Sequence, residues 1–293
     1  MNDLPPLIDA RALAQLLRDD DDAVLVVDCR FDLADTAWGQ RGYDAGHLPG
    51  AVYAHLDRDL SGPVTPVTGR HPLPSPAAFA STLAAWGVTP ATRVVAYDQG
   101  PGAYAARCRW LLGASGHAAA QVLDGGLAAW QAAGLPLTTD TPVRRPAARR
   151  DFAAFDGWLT TDDVAAGLRD GAIHLVDARP ADRFAGRNET IDPVPGRVPG
   201  AGNHPVARNL GADGRFLPAA ELAERWRETL RGASPDAAVM MCGSGVTACH
   251  NLLALEVAGL PGARLYAGSY SEWIRDPARP VATGEPKLLR SGA

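Results

Sequence analysis

The chain repeats itself. Val24-Leu25-Val26-Val27-Asp28-Cys29-Arg30-Phe31 is matched by His174-Leu175-Val176-Asp177-Ala178-Arg179, each a short apolar run closing on Asp-x-Arg. Gly46-His47-Leu48-Pro49-Gly50-Ala51 is matched by Gly196-Arg197-Val198-Pro199-Gly200-Ala201. Val94-Val95-Ala96-Tyr97-Asp98 is matched by Val239-Met240-Met241-Cys242, and the segment from Gly125 to Trp130 by that from Gly268 to Trp273. The offsets are 149 (Asp28 to Asp177), 150 (Gly50 to Gly200), 144 (Asp98 to Cys242) and 143 (Trp130 to Trp273). Four matches in one order at nearly one spacing mark a duplicated domain, and 293 residues suit two domains.

The Thr-, Pro- and Arg-rich stretch from Thr138 to Asp151 has no apolar period and contains Pro142 and Pro146. Such composition makes an exposed, semi-rigid connector. The expected division is a first domain over residues 1–140, a linker over 141–154 and a second domain over 155–293.

In each half, short β-branched runs alternate with Ala/Leu-rich helical patterns. The second half predicts strands over 173–177, 237–241 and 263–266, and helices over about 219–231, 246–258 and 270–275. This alternation implies an α/β class with a mostly parallel sheet and helices on both faces. Ligands of such sheets sit at the carboxyl ends of the strands, here the residues after 241.

Composition narrows the function classes. Lys plus Arg number 28 against 33 Asp plus Glu, a net charge of −5, which favours neither nucleic acid nor an anionic membrane as partner. The basic residues are nearly all Arg; the one Lys is Lys287. No apolar run is long enough for a transmembrane helix, and Met1 to Asp9 does not read as a signal peptide. Cys29, Cys108, Cys242 and Cys249 are scattered without CxxC spacing, so neither a disulfide framework nor a zinc knuckle is expected, and a reducing cytoplasm fits. No metal, nucleotide or flavin motif is present: Gly243-Ser244-Gly245 runs into Val246-Thr247-Ala248, without the G-x-G-x-x-G spacing.

Residues 239–249 read Val-Met-Met-Cys-Gly-Ser-Gly-Val-Thr-Ala-Cys. An apolar strand stops at Cys242, a Gly-Ser-Gly turn follows, and a helix begins near Val246. Glycines let the backbone curl so that successive N–H groups face one concavity. The helix N-terminus adds free N–H groups and the positive end of its dipole. A thiol in that cradle is held as thiolate more readily, and a bound anion or a negatively charged outer sulfur fits it equally. A lone cysteine before a tight turn is most often a core residue; the strand–Cys–glycine loop–helix context favours chemistry. In the first half the matching residue is Asp98, followed by Gln99-Gly100-Pro101-Gly102. A carboxylate is no thiol nucleophile, so only the second domain is expected to be active.

The duplicated Asp-x-Arg and Gly-x-x-Pro-Gly-Ala elements, with the loop Cys242-Gly243-Ser244-Gly245-Val246-Thr247, resemble the two-domain rhodanese-type sulfurtransferases over nearly the whole chain. The resemblance implies an inactive first domain and a second-domain cysteine that becomes a persulfide. The neutral loop is similar to that of members acting on 3-mercaptopyruvate, rather than to the basic loops of those using thiosulfate. Thiosulfate is a dianion that basic residues stabilise, whereas mercaptopyruvate carries one carboxylate and a keto group. The implied reaction moves sulfur from 3-mercaptopyruvate, with thiosulfate as another donor, through a Cys242 persulfide to a thiol, a thioredoxin-like protein or cyanide, releasing pyruvate. No cofactor is implied.

The resemblance also implies site residues. Arg183, four beyond Arg179, matches a family arginine that binds the anionic donor; guanidinium suits a carboxylate bidentately. A second family arginine falls nine residues further on, where this chain has Asp192. Arg187 and Arg197 are the candidates to fill that gap, although Arg197 stands where the family usually has His. Ser244 is a hydrogen-bond donor to the keto oxygen, a proton relay or merely a turn former. Thr247 hydrogen-bonds the thiolate or caps the helix. His47 and Asp35 are candidates for a relay with Ser244. Asp28 with Arg30, and Asp177 with Arg179, read as structural pairs.

Gly69-Arg70-His71-Pro72-Leu73-Pro74 resembles a segment of bacterial members, reads as a rigid loop, and is a candidate for the domain interface near the active loop. Cys249, Cys29 and Cys108 read as core residues, and His250 as helix surface.

Two other activities compete. A phosphatase on a related fold needs Cys-x5-Arg, and position 248 is Ala248, so the arginine that clamps phosphate is missing. A persulfide carrier with a dedicated acceptor protein shares Cys242 and differs in slow turnover with small acceptors.

Overall fold

A computed structural model describes residues 4–19 and 23–284. Lys287 lies outside the described residues. The first sheet contains β1 (Leu7–Ile8), β2 (Val24–Asp28), β3 (Val52–Tyr53), β4 (Arg93–Tyr97) and β5 (Ala120–Leu123). The second contains β6 (Trp158–Leu159), β7 (His174–Asp177), β8 (Gly202–Asn203), β9 (Ala238–Met241) and β10 (Arg264–Tyr266). Their orders, β1-β5-β4-β2-β3 and β6-β10-β9-β7-β8, are the same permutation, and the strand pairs are parallel. The duplication read from the sequence is therefore a duplication of topology.

Strands β2 and β9 are buried along their whole length, and the central strand β4 is buried from Val94 to Tyr97. Their apolar runs lack polar alternation because helices cover both faces. The three second-half strands expected from sequence are seen at 174–177, 238–241 and 264–266, and the helices at Ala219–Leu230, Ala248–Val257 and Ser269–Trp273. Each boundary lies within about two residues, the ordinary uncertainty of helix and strand ends.

The two halves share a core. Helix Ala103–Ala114 packs against helix Ala248–Val257, each being the helix that follows the central strand of its own repeat. The second is buried on nearly all sides from Ala248 to Leu255, as a helix between two layers must be. This corrects the surface reading of His250. The residue is fully buried, and its ring stacks on Phe216 at 4.4 Å and 14°. Phe155, assigned from sequence to the second half, packs at 5.7 Å on Phe79 of the first. No helix among the described residues is long and apolar enough to cross a membrane.

Candidate active site

The paired strand ends set the site. In the first sheet Asp28 lies beside Tyr97, the residue before Asp98. In the second, Asp177 lies beside Met241, the residue before Cys242. Each aspartate is fully buried and holds its arginine from two positions on: Arg30 Nη2 is 2.6 Å from Asp28 Oδ2, and Arg179 Nη2 is 2.7 Å from Asp177 Oδ2. The same Nη2 atoms donate to Gly46 O and Gly196 O at 2.8 Å. Each pair thus fastens the start of its own Gly-x-x-Pro-Gly-Ala loop to the strand end. Arg179 also lies 4.0 Å over the Tyr270 ring.

Cys242 is buried at the end of β9. The Cys242 N–H donates to Ser269 Oγ at 3.1 Å. Cys242 O and Gly243 O accept from the N–H groups of Tyr270 and Ser271 at 3.0 and 2.8 Å. Gly245 has φ +80°, and a Cβ there would strike Ala267 O, so this turn needs glycine. Among the described residues, the N–H groups from Gly243 to Thr247 have no protein acceptor.

The first domain presents the filled version of this cradle. The Asp98 carboxylate accepts from the N–H groups of Gly100, Gly102, Tyr104 and Ala105 at 3.0, 3.0, 2.9 and 3.3 Å. The first repeat fills its cradle with its own carboxyl group; the N–H groups of the other are available to a bound anion.

The residues above the Cys242 loop come from the first domain. The Gly69 N–H donates to Glu272 Oε2 at 3.2 Å, the Arg70 N–H to Ser271 Oγ at 3.1 Å, and Arg275 Nε to Thr68 O at 3.0 Å. The segment 68–71 is thereby laid on helix Ser269–Trp273, beside the loop. Arg107, also buried, donates to Gly245 O at 3.4 Å and to His71 O and Leu60 O at 3.3 Å. One guanidinium ties this segment to the Cys242 loop.

This docking places His71 Nδ1 2.7 Å from Ser244 Oγ and His71 Nε2 3.4 Å from Asp57 Oδ1. With Nε2–H facing the carboxylate, Nδ1 is the acceptor for the Ser244 hydroxyl. Burial pushes the His71 pKa below its ordinary value, with Asp57 opposing, so the ring is neutral at neutral pH. Its hydrogen bond to His71 holds Asp57 below the usual carboxylate range.

The structure does not bring His47 and Asp35 to Ser244; His71 stands there. His47 is buried against Tyr43, its nitrogens 2.7 Å from Tyr43 O and 3.2 Å from Asp140 O. Asp35 is exposed and paired with Arg41 at 2.5 Å.

The same segment brings a second arginine, Arg70, to the loop. A Cβ built on Gly243 would lie 2.6 Å from Arg70 Nη2, 3.7 Å from Asp192 Oδ2 and 3.8 Å from Arg183 Nη2. Arg70 and Arg183 thus both reach over the loop. Arg70 pairs with Asp192, and Arg183 with Glu189 at 2.8 Å and Asp192 at 3.2 Å. Of the two expected substitutes, Arg197 is engaged elsewhere. Arg197 Nη1 donates to Gly284 O at 2.6 Å, and its guanidinium lies over Phe184. Arg187 is exposed, its N–H on Asp182 O.

Thr247 makes no side-chain cap, and the helix begins at Ala248; of its two readings the cap fails. Cys249 is buried with Sγ 3.3 Å from Gly245 O, and burial pushes its thiol up to about 12. Cys29 and Cys108 are buried as well.

Asp57, Arg70 and His71 as site residues were missed. A signal existed: Gly69-Arg70-His71-Pro72-Leu73-Pro74 is matched by Gly214-Arg215-Phe216-Leu217-Pro218, with an offset of 145 from Arg70 to Arg215. The second copy docks reciprocally. The Phe216 N–H donates to Asp124 Oδ1 at 2.9 Å, and a Cβ on Gly125 would meet Arg215 Cγ at 3.1 Å. Each repeat covers the loop of the other.

The rhodanese-like domain model matches residues 9–133 and 160–276. A probable 3-mercaptopyruvate sulfurtransferase of Pseudomonas aeruginosa is 52% identical over 284 residues, covering 95% of this chain and 98% of that protein. A putative thiosulfate sulfurtransferase of Mycobacterium tuberculosis is 38% identical, covering 95% and 97%. Among solved structures, the 3-mercaptopyruvate sulfurtransferase of Leishmania major superposes with TM-score 0.82 at 33% identity, covering 93% of this chain and 75% of that one. An Escherichia coli member of that enzyme class superposes with TM-score 0.77 at 30% identity, covering 92% and 100%. The chain belongs to the rhodanese-like family and carries two copies of its domain.

Proposed function

We propose that the protein transfers sulfur from 3-mercaptopyruvate to a thiol, a thioredoxin-like protein or cyanide through a persulfide on Cys242. The observation that carries this reading is the single unfilled cradle at Cys242, set under two arginines and a Ser244–His71–Asp57 chain.

The donor carboxylate pairs with Arg70 and Arg183, as guanidinium favours. Ser244 faces the donor's keto group. The Cys242 sulfur attacks the donor sulfur, an S–S bond forms, and the C–S bond breaks with its electron pair left on carbon as the enolate of pyruvate. A proton ends on that carbon. In sum, one thiol and one mercaptopyruvate give one persulfide and one pyruvate. Ser244 and His71 form the path along which a proton moves to or from the donor, and Asp57 stabilises the imidazolium when His71 holds it. The cradle N–H groups hold the outer sulfur's charge. An acceptor thiol or cyanide then takes that sulfur and restores Cys242, so the kinetics are ping-pong. Thiol acceptors and four free cysteines suit a reducing compartment such as the cytoplasm.

The test compares pyruvate release from 3-mercaptopyruvate with thiocyanate formation from thiosulfate and cyanide. Mercaptopyruvate is expected to be favoured by more than about tenfold in kcat/KM, roughly 1.4 kcal/mol in the barrier. Equal or better use of thiosulfate overturns the donor assignment. Sulfur uptake without turnover supports the carrier reading instead.

A further inference from the structure

The arginines over the Cys242 loop are not free cations. Arg70, Arg179 and Arg183 face Asp177, Glu189 and Asp192 in one connected group. The side chains of Asp177 and Asp192 are fully buried, and that of Glu189 is 1% exposed. Asp177 and Glu189 are occupied with Arg179, and Glu189 also holds Arg183 through both carboxylate oxygens at 3.1 Å. Asp192 differs: its carboxylate joins Arg70 of the first domain to Arg183 of the second, and it stands 3.7 Å from the Cβ position of Gly243. Its carboxylate is held in place by the N–H of neither arginine alone but by both.

We infer that Asp192 is a specificity-determining residue: it holds Arg70 and Arg183 together as one anion-binding pair and cancels enough of their charge that the site takes a monoanionic 2-oxo-3-thiol acid over a dianionic sulfur donor. This deepens the proposed function and rests on it. Within this group three cations meet three anions, so a second negative charge on the donor gains little from the group to offset its heavier desolvation. Arg70 Nη2 and Arg183 Nη1 have no acceptor among the described residues, which leaves them to donate to one donor carboxylate. Burial raises the Asp192 pKa while Arg70 and Arg183 oppose it, as expected of a carboxylate whose charge depends on these two neighbours.

The test is Asp192→Asn, which removes the charge and nearly keeps the shape, with Asp192→Glu retaining the charge. In Asp192→Asn, kcat/KM for thiosulfate relative to 3-mercaptopyruvate is expected to rise about tenfold, because one uncompensated cation acts twice as strongly on a dianion. Asp192→Glu is expected to keep the wild-type ratio. An unmoved ratio in folded Asp192→Asn overturns the inference and leaves the proposed function standing. Wild-type protein that releases no pyruvate overturns both. The wild type supplies a second readout that needs no variant. Its kcat/KM for thiosulfate is expected not to fall as salt is raised from low to physiological ionic strength, and a steep fall, the mark of an uncompensated cationic site, overturns the inference.

Discussion

His71 Nδ1 stands 2.7 Å from Ser244 Oγ, across 173 positions of sequence and the boundary between the two repeats. The Cys242 loop belongs to the second repeat and the histidine that meets it to the first. In the proposed mechanism the repeat without a cysteine at this position therefore supplies part of the proton path.

Replacing His71 separates the two donors. Mercaptopyruvate leaves a carbon that must be protonated, whereas thiosulfate leaves sulfite, which needs no proton. His71→Asn is expected to lower kcat for pyruvate release by about 10²-fold, within the usual range for general acid–base groups. Thiocyanate formation from thiosulfate is expected to change much less. Steady-state rates with both donors check this; equal losses would mean that His71 only positions the loop.

The pH profile follows from the same ring. Burial lowers the His71 pKa and Asp57 raises it in part. If neutral His71 is the active form, the acid limb of the mercaptopyruvate rate lies below the ordinary histidine value of 6.5. Removing the opposing carboxylate in Asp57→Asn moves that limb to still lower pH. A limb that shifts upward contradicts the assignment of His71 as proton acceptor.

Buried histidines also make the fold acid-sensitive. Burial pushes His250 down to about 4 and His204 down to about 3. The unfolded chain takes up these protons first as pH falls, so their contribution to stability is full above 6.5 and is lost on the way down toward about 4. The expected slope is at most ~1.4 kcal/mol per pH unit for each such ring. Urea unfolding at pH 7 and pH 5 measures it, and His250→Gln is expected to flatten the dependence.

Breaking a buried Asp–Arg pair is expected to cost more than losing its contacts. Arg179→Met leaves the fully buried Asp177 carboxylate without its guanidinium, a loss of about 3–5 kcal/mol. Adding Asp177→Asn is expected to return part of it. Urea midpoints of the single and double variants decide; additive losses would contradict the pairing.

The fold was legible because its signals are local. The apolar runs ending at Asp28, Asp177, Asp98 and Cys242 recur in order, and each carries its own strand end. The cradle was legible for the same reason, since Cys242 to Thr247 are consecutive and their geometry follows from strand, glycine turn and helix. The placement of His71 and Arg70 at that loop was not. Arg70 and His71 reach the site only because the 68–71 segment docks on Ser271 and Glu272, about 200 residues away in sequence. The choice of His47 followed the motif it sits in, and that motif's histidine is consumed by Tyr43 O and Asp140 O. His250 is buried, against its sequence reading, because a helix between two repeats has no solvent face.

The most direct test of the account is the mass of the protein after reaction with 3-mercaptopyruvate in the absence of any acceptor. The account predicts a gain of one sulfur atom per chain, mapped to Cys242, with one pyruvate released, and neither in Cys242→Ser. Sulfur carried on Cys249, or pyruvate released at an undiminished rate by Cys242→Ser, would contradict it.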